Sequence, residues 1–450
     1  MKNLTLWICI LIWIFITLIR VCFHQPWFDE SNAWEIARNL EFGNILDSVK
    51  YEGHFLIWYL LLMPFAKLNI GYPYSMLLIN WVFCFASIVI LWKYSPFNNF
   101  VKALITFSFP FLACYPVIAR CYSIGILPIF LLCALYKNRL KYPVIYSLII
   151  FFAMNTSIMA IFGASILGLY LIYDLYKNDD KKNFKICLTI AIMCILTTLV
   201  QVLNFDTAKL PLEKAFGLDL KTVLSTFVLL PQVINAILLI FFVIGFGIYL
   251  FKDKRAFGLA FVTFGALFGM FNFTYAGDFW HYYFLYVYLI VACWIALEQN
   301  YLTFNCKKIL TILLGFLSLL LVFDFRNDIS VYNSCSKDVA NYIKSHKNDC
   351  SIFSNQIFFM TLPYLRDGKT DYDIKLVDTS NGTYNIGFDF DMIEMAMANS
   401  EQDKKEKKEN YLYVNSCAEI PNLKKGNKTM YFIKDKNIKN LYCIYKIEIK

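Results

Sequence analysis

HQPWFDESNAWEIARNL (His24–Leu40) and YEGHFLIWY (Tyr51–Tyr59) belong to one acidic, aromatic-rich stretch directly after the first apolar segment of the chain. Between His24 and Tyr59 there are six carboxylates but only two basic residues, Arg38 and Lys50. The segments on both sides are strongly apolar. A polar stretch placed in this way predicts a functional loop between membrane-embedded segments.

The composition is typical of a polytopic membrane protein. Of the 450 residues, 59% are hydrophobic and 17% are charged, and the mean hydropathy is +0.52, whereas soluble domains carry about 25% charged residues. The net charge of +9 does not indicate nucleic-acid binding, because the cytoplasmic loops of membrane proteins carry an excess of Lys and Arg. The abundance of Lys, Asn, Ile, Phe and Tyr suggests an AT-rich genome and a bacterial plasma membrane.

Eleven apolar segments are predicted to cross the membrane as helices, each of which needs about 17–25 residues. The first, which follows Lys2, has no A-x-A-like cleavage site and is expected to be retained. Another apolar segment, 54–69, is short and contains Pro64, and we place it along the outer interface as a helix that does not cross. The predicted spans are 4–23, 74–92, 101–118, 122–136, 143–154, 157–176, 184–204, 229–251, 256–275, 281–298 and 308–323.

The placement of the basic residues favours this arrangement. If 54–69 crossed the membrane, nearly all loop cations would face outward, against the positive-inside rule. The predicted topology therefore has a cytoplasmic N-terminus, an external first loop over 24–73 and an external C-terminus. The residues then predicted to be cytoplasmic are Lys2, Lys93, Lys102, Lys137, Arg139, Lys141, the 177–185 cluster, Lys252, Lys254, Arg255, Lys307 and Lys308.

After the transmembrane domain (1–323), residues 324–450 are polar and are predicted to form a small extracytoplasmic α/β domain. Segments 336–346 and 389–398 have helical patterns. Cys335, Cys350, Cys417 and Cys443 lack zinc-site spacing, and two disulfides with three possible connectivities remain open. The strand patterns lie at 351–353, 372–378, 411–415, 429–433 and 441–449.

Asp29 and Glu30 come at the start of an amphipathic helix in which Trp34, Ala37 and Leu40 can share one face. Asp29 could serve only as an N-cap, since Asp accepts hydrogen bonds from free backbone N–H groups. The helix dipole also favours the ionised carboxylate, which a general base or a metal ligand requires. Both residues are candidate catalytic residues, and Asp29 is the stronger of the two.

Glu52 and His54 stand just before the interfacial helix. The pattern Tyr51-Glu52-Gly53-His54 fits a turn and a helix start, and it also fits two groups that bind a substrate hydroxyl. Together with Asp29 they could hold a divalent metal cation, although an E-x-H spacing by itself is a weak metal signal. A divalent cation is the one cofactor that these residues suggest.

Two further groups lie at predicted outer ends of spans. Arg120 and Tyr122 belong to an A-R-x-Y sequence, and Asp278 and His281 to GDFWHYY. The arginine could simply extend to the interface, and the aromatic residues around His281 could be ordinary interface residues. The alternative is that the guanidinium grips a phosphate. All four residues are candidates for substrate binding.

The order of these features resembles the GT-C superfamily of membrane glycosyltransferases, which includes bacterial relatives of protein O-mannosyltransferases and the lipid A aminoarabinose transferases. The resemblance rests on a first helix, an outer loop beginning Asp29-Glu30 with an amphipathic helix, a second interfacial helix rich in Trp and Tyr, and the A-R-x-Y sequence. It is clearest over residues 1 to roughly 140, and the C-terminal domain is similar to that of the bacterial members.

This resemblance implies a polyprenyl-phosphate-linked sugar donor and transfer at the external face to a glycan, lipid or protein acceptor. Asp29 would match the loop aspartate that acts as base or metal-site residue, and Glu52 the acidic residue before the second interfacial helix. Arg120 would fall where contacts to the donor phosphate are expected. The chain departs from the family at His54-Phe55-Leu56, where His-Pro-Pro-Leu or Lys-Pro-Pro-Leu is common.

The leading hypothesis is an inverting glycosyltransferase in which Asp29 deprotonates an acceptor hydroxyl and lipid phosphate leaves toward Arg120. A transporter or flippase of a lipid-linked glycan would need ionisable residues within spans or broken helices at mid-membrane, and few mid-span ionisable residues are present. A non-catalytic protein of cell-envelope glycan assembly is the third hypothesis, and the missing prolines keep it open.

Overall fold

A computed structural model describes most of the membrane-embedded region and separate parts of the C-terminal region. The described residues are 2–50, 54–204, 244–273, 278–299, 302–324, 336–345, 350–354, 361–365, 374–376, 409–414, 423–425, 428–438 and 442–449. Among them, eight helices are long and apolar enough to cross a membrane. They are Leu4–Phe23, Tyr74–Tyr94, Cys121–Asn138, Ile158–Lys177, Lys181–Asn204, Lys254–Phe271, Phe279–Glu298 and Phe304–Val322.

Fifteen helices can be numbered along the described residues. The first ten are α1 (Lys2–Phe23), α2 (Phe28–Asn39), α3 (Ile45–Val49), α4 (Leu56–Lys67), α5 (Tyr74–Tyr94), α6 (Asn99–Phe107), α7 (Cys121–Leu135), α8 (Pro143–Met154), α9 (Ile158–Lys177) and α10 (Lys181–Asn204). The others are α11 (Lys254–Phe273), α12 (Phe279–Glu298), α13 (Phe304–Val322), α14 (Ser336–Ser345) and α15 (Leu362–Leu365). Residues 244–250 are helical as well.

Eight of the eleven predicted spans coincide with these long helices, and the chain is a multi-pass membrane protein. The short segment 54–69 contains α4, whose 12 residues fall below the length of a span, and its interfacial placement stays a prediction. The predicted span 143–154 is α8, also of 12 residues. Most of the predicted span 229–251 lies outside the described residues.

The predicted span 101–118 is wrong as a single continuous helix. Helix α6 ends at Phe107, Ser108 has an extended backbone (ψ 149°), and a short π-helical turn follows at Pro110–Cys114. Pro110 has no N–H with which to continue α6, and its ring would clash with the carbonyl four residues earlier. The break cannot be seen in the hydropathy, because the segment is apolar on both sides of it. As a consequence of the break, Arg120 and Tyr122 lie at the start of a new helix, α7.

By backbone contacts the chain divides into two compact units, which are described separately. The first, unit 1, contains 1–23, 40–61 and 76–331. Its most buried helix is α12, in which every residue from Trp280 to Leu297 is buried. Gly163 of α9 lies against α12, since an added Cβ would stand 2.2 Å from Cε1 of Tyr288. The backbone N–H of Gly163 donates to the Tyr288 hydroxyl at 3.0 Å.

An ion cluster joins three segments of unit 1 at the end of α7 that is opposite to Arg120. The carboxylate of Asp174 accepts hydrogen bonds from Arg139 (Nη2 to Oδ2, 2.7 Å) and from Arg255 (Nη1 to Oδ2, 2.8 Å). The Arg139 guanidinium also lies 4.2 Å from the centroid of the Tyr136 ring. Both arginines are predicted to be cytoplasmic, and sharing one carboxylate holds the ends of α9 and α11 together.

The second unit, unit 2, contains 24–39, 62–75 and 332–450. Its described strands are β1 (Cys350–Ser354), β2 (Ile374–Leu376), β3 (Glu409–Val414), β4 (Leu423–Lys425), β5 (Lys428–Ile438) and β6 (Tyr442–Ile449). They form one sheet in the order β2-β1-β3-β6-β5-β4. β1 is parallel to β2 and β3, and the other pairs are antiparallel. Five of these strands lie on segments with predicted strand patterns, whereas β4 has no such pattern.

Some predictions for this region fall outside the described residues. The helix predicted at 389–398 is among them, as are Cys335 and Cys417. The disulfide connectivity therefore stays a prediction. The helix predicted at 336–346 corresponds to α14.

Candidate functional site

In unit 1 the candidate site is built on the start of α7. Arg120 precedes this helix in an extended conformation (φ −130°, ψ −177°), and its side chain is only 4% exposed. Cys121 and Tyr122 form the first turn and are buried. Gly125 allows this turn to approach the start of α9, since a Cβ there would stand 3.3 Å from Cβ of Ala160. Burial of Arg120 goes beyond what an arginine extending to the membrane interface would show.

The start of α12 supplies the second part of the site. The carboxylate of Asp278 accepts a hydrogen bond from the Phe279 N–H at 2.8 Å, and the Asp278 N–H donates to Nδ1 of His281 at 2.8 Å. The Asp278 side chain also accepts from the backbone N–H of His281, and this reciprocal capping box explains why a polar Asp-x-x-His sequence opens an otherwise apolar helix. Nε2 of His281 lies 2.8 Å from the hydroxyl oxygen of Tyr122, so the two helix starts meet.

His54 is the third part. Its ring meets the Tyr122 ring edge-on, with centroids 6.4 Å apart, and its Nδ1 lies 3.5 Å from Sγ of Cys121. Burial, the charge of Arg120 and the proximity of His281 lower the pKa of His54 well below its ordinary value. Three segments distant in the chain therefore combine a guanidinium with neutral imidazole and phenol groups.

Two residues without a predicted role hold the backbone next to His54. The amide N–H of Leu56 donates to Oε1 of Gln201 at 2.9 Å, and Nε2 of Gln201 donates to Oδ1 of Asn155 at 2.9 Å. Proline at position 56, as in the related His-Pro-Pro-Leu pattern, could not donate this bond. At the position where this chain departs from the pattern, Leu56 therefore makes a backbone hydrogen bond to α10 that proline could not make. A lone Gln within an apolar helix was the only sequence signal of this contact.

Aromatic side chains surround the polar groups. The Tyr122 ring lies 6.4 Å from the Tyr115 ring and 6.3 Å from the Phe284 ring, and the Tyr115 ring lies 5.8 Å from that of Phe284. The side-chain oxygen of Ser123 donates to the Tyr115 carbonyl at 2.7 Å. Arg120 is itself buried, and electrostatic interactions are stronger in such a poorly hydrated environment than at the surface.

In unit 2, Asp29 and Glu30 have different environments. Asp29 is exposed and lies within the first turn of α2, two residues after the N-cap position that Trp27 occupies. Glu30 is fully buried, and its Oε2 lies 2.8 Å from Nε2 of His24 and 3.1 Å from the backbone N of Trp27. Glu30 thus stabilises the turn that leads into α2, whereas the Asp29 side chain is exposed.

A group of hydroxyls and rings packs on the other side of α2. The hydroxyl groups of Ser31 and Tyr72 are 2.9 Å apart, and the Tyr72 ring contacts those of Trp34 (5.2 Å) and Tyr364 (4.9 Å). Burial and the neighbouring Tyr364 raise the pKa of Tyr72 well above its ordinary value, so its hydroxyl remains protonated. Sequence patterns did not reveal this cluster, because Tyr72 and Tyr364 are nearly three hundred residues apart.

The predicted metal ligands are Asp29, Glu52 and His54. Within the described ranges, no group of three or more His, Cys, Asp or Glu residues could hold a metal ion. Glu52 lies outside these ranges. The positive charge of Arg120 acts on His54 and opposes a cation at that imidazole. The set Asp29, Glu52 and His54 remains a prediction.

Comparisons with known proteins bear on the fold. No protein-family model and no curated protein sequence matches the chain. Two similar solved structures are those of ArnT from Cupriavidus metallidurans, one bound to undecaprenyl phosphate and one in the apo state. The TM-scores are 0.50 and 0.52, the sequence identities 12% and 11%, and each match covers 98% of this chain and 97% of ArnT. The chain therefore shares the fold of a lipid A aminoarabinose transferase, which confirms the fold that the resemblance implied.

Proposed function

We propose that this protein is a membrane glycosyltransferase that takes a sugar from a polyprenyl-phosphate-linked donor. The observation that carries the proposal is the meeting of Arg120, Tyr122, His54 and His281, from three distant segments, in a chain with the ArnT fold. A buried guanidinium beside neutral imidazole and phenol groups favours an anion. One ArnT structure is bound to undecaprenyl phosphate, which supports a lipid-linked phosphate as that anion.

The proposed role of the Arg120 cluster is to bind the phosphate before transfer and to stabilise it as it leaves. Guanidinium groups bind phosphate through paired, charge-assisted hydrogen bonds. The scarcity of water around the buried Arg120 makes these bonds stronger than at an exposed arginine. When the bond between the sugar C1 and the phosphate oxygen breaks, negative charge develops on the phosphate, and fixed donors lower the barrier most where charge develops.

The proposed role of Asp29 is that of the general base. The acceptor hydroxyl oxygen forms a bond to the sugar C1, its proton goes to the Asp29 carboxylate, and polyprenyl phosphate leaves with the bonding electron pair. Such a displacement inverts the configuration at C1. Asp29 is exposed in the first turn of α2, where the helix dipole favours the ionised carboxylate.

The test is turnover in detergent or nanodiscs with a panel of polyprenyl-phosphate sugars, measured as release of polyprenyl phosphate. Donor binding is measured in parallel, since release also needs a suitable acceptor. We expect release from at least one donor by the wild type and a loss of at least 100-fold in Asp29→Asn, because removal of a general base costs about 10²–10⁴ in rate. Absence of both binding and release would overturn the transferase proposal.

Asp47→Asn is the matched control for this experiment. Asp47 is an exposed carboxylate of the same acidic loop, and it makes a 3.8 Å surface ion pair with Lys50. The control should keep the wild-type rate, and both variants should show the wild-type elution volume. Full activity in Asp29→Asn would mean that another residue is the base.

A further inference from the structure

Two side-chain amides connect α8 and α10 to the backbone of the first loop. Nδ2 of Asn155 donates to the Phe151 carbonyl at 2.9 Å, and Nε2 of Gln201 donates to Oδ1 of Asn155 at 2.9 Å. Oε1 of Gln201 then accepts from the Leu56 N–H at 2.9 Å. Both amides are buried, Asn155 with 5% and Gln201 with 8% exposure. A continuous chain of hydrogen bonds therefore runs from the end of α8 to the start of α4.

The two ends of this chain fix the orientation of both amides. The Phe151 carbonyl can only accept and the Leu56 N–H can only donate, so neither amide can be turned over without losing a hydrogen bond. Nε2 of Gln201 also donates to the Thr197 carbonyl at 3.1 Å. A buried polar side chain is costly unless it is hydrogen-bonded. Gln201 is therefore held in one orientation, with its oxygen toward the loop.

The same helix holds the loop at a second point. Nδ2 of Asn204, three residues after Gln201, donates to the Leu46 carbonyl at 2.7 Å. Residues three apart lie on one face of a helix, so a single face of α10 bonds to the loop backbone at Leu46 and at Leu56. Both ends of the segment 46–56 are thus fixed by side chains of α10.

His54 belongs to this segment and precedes Leu56 by two residues. Its Nδ1 is 3.5 Å from Sγ of Cys121, and its ring meets the Tyr122 ring edge-on. The position of His54 therefore depends on the backbone that Gln201 holds. A group that is fixed before a ligand arrives loses less conformational freedom on binding.

We propose that Gln201 and Asn204 are positioning residues that hold the segment 46–56, and His54 with it, against the start of α7 before the lipid-linked donor binds. This inference rests on the proposed function and adds to it the part of the fold that keeps the first loop in place. In this role neither amide touches the donor. A change at either residue increases the motion of the segment first and lowers the rate of transfer as a result.

Hydrogen exchange of the donor-free protein in nanodiscs, measured by mass spectrometry, tests the positioning without any substrate. In Gln201→Leu the Leu56 N–H loses its acceptor, and we expect peptides covering 46–60 to exchange about 10-fold faster than in the wild type. Peptides from α12 and α13 should keep their wild-type rates. Asn204→Leu should accelerate the same peptides about threefold, because Asn204 is only half-buried.

Thr189→Val is the matched control on α10. The Thr189 hydroxyl donates to the Lys185 carbonyl of its own helix at 3.0 Å. The substitution therefore removes a polar group from α10 without removing a bond to the loop. This variant should match the wild type both in exchange and in turnover of the donor.

A proline at position 56 tests whether the bond to Gln201 carries the effect on turnover. Proline has no N–H and fits the first position of a helix, which Leu56 occupies in α4. We expect Gln201→Leu to lower kcat/KM for the lipid-linked donor about 10-fold in the wild-type chain, but no more than about twofold in a Leu56→Pro chain, where no N–H is left without an acceptor. Leu56→Ala keeps the N–H, and the loss of about 10-fold should persist in that chain.

The results separate this inference from the function on which it rests. If the wild type neither binds nor uses a polyprenyl-phosphate donor, the proposed function fails, and hydrogen exchange still decides whether α10 holds the segment 46–56. Wild-type exchange of 46–60 in Gln201→Leu would overturn the inference, and so would faster exchange throughout the protein. An equal loss of kcat/KM from Gln201→Leu in the wild-type and Leu56→Pro chains would overturn it as well.

Discussion

Two buried histidines use the same ring nitrogen in different ways. In unit 2, Nε2 of His24 bonds to the carboxylate of Glu30, six residues later. In unit 1, Nε2 of His281 bonds to the hydroxyl of Tyr122, which is 159 residues away. His24 stabilises a local turn, whereas His281 joins the starts of two helices that are distant in sequence.

This difference indicates separate roles for the His24–Glu30 pair and the His281–Tyr122 pair. The Glu30 carboxylate also accepts from the backbone of Trp27, so its bonds stay within the chain segment that it stabilises. The Tyr122 hydroxyl bonds to a residue that lies 159 positions away, on another helix. We therefore expect changes at the His24 pair to alter mainly stability, and changes near Tyr122 to alter mainly activity.

The largest effect is expected for Arg120→Gln, which should lower kcat/KM for the lipid-linked donor by at least about 100-fold, or ~2.7 kcal/mol of transition-state stabilisation. The reason is that Gln has the hydrogen-bonding capacity for a phosphate but no charge. Arg120→Lys keeps the charge without the paired geometry and should fall between Gln and wild type. The measurement is initial rate against donor concentration.

Lys93→Gln is the control for loss of a positive charge. Lys93 is exposed in the last turn of α5, and its replacement should leave kcat/KM unchanged. A kcat/KM of Arg120→Gln within threefold of the wild-type value would show that Arg120 does not bind the donor. The proposed functional difference between the His281 and His24 regions would then have no support.

The second prediction concerns the local pair. Glu30→Gln should destabilise the protein by about 1–3 kcal/mol, because the amide oxygen can accept only part of what the carboxylate accepts and the amide nitrogen brings another donor into a buried position. Thermal unfolding in detergent measures this loss. The exposed Glu41 of the same loop gives the matched control, and Glu41→Gln should unfold like the wild type.

Activity decides the meaning of that result. Glu30 was predicted as a candidate catalytic residue together with Asp29. If Glu30→Gln unfolds normally but loses turnover per folded molecule, the carboxylate acts in catalysis. If turnover per folded molecule is kept and stability falls, Glu30 is a structural residue of the turn, as its burial and its bonds to His24 suggest.

Much of the fold could be predicted from the sequence, because the length and hydropathy of an apolar segment indicate a transmembrane helix. The break before Pro110 could not be predicted from hydropathy, because hydropathy does not depend on the backbone N–H that proline lacks. The candidate residues Arg120, Tyr122 and His281 were correctly placed at helix ends, but their contact could not be predicted, because no local period relates positions so distant. Gln201 was missed for the same reason, and the burial of Glu30 is explained only by its partner.

The smallest predicted effect uses a third histidine, His54, whose ring contacts the Cys121 thiol and the Tyr122 ring. Because burial and Arg120 lower the pKa of His54, the unfolded chain binds a proton below about pH 6.5 that the folded protein does not. Stability should therefore fall as the pH drops, by up to about 1.4 kcal/mol from pH 7.5 to 5.5. His54→Gln should lose this part of the pH dependence in thermal unfolding, and an unchanged dependence would mean that His54 is protonated in the folded protein as readily as in the unfolded chain.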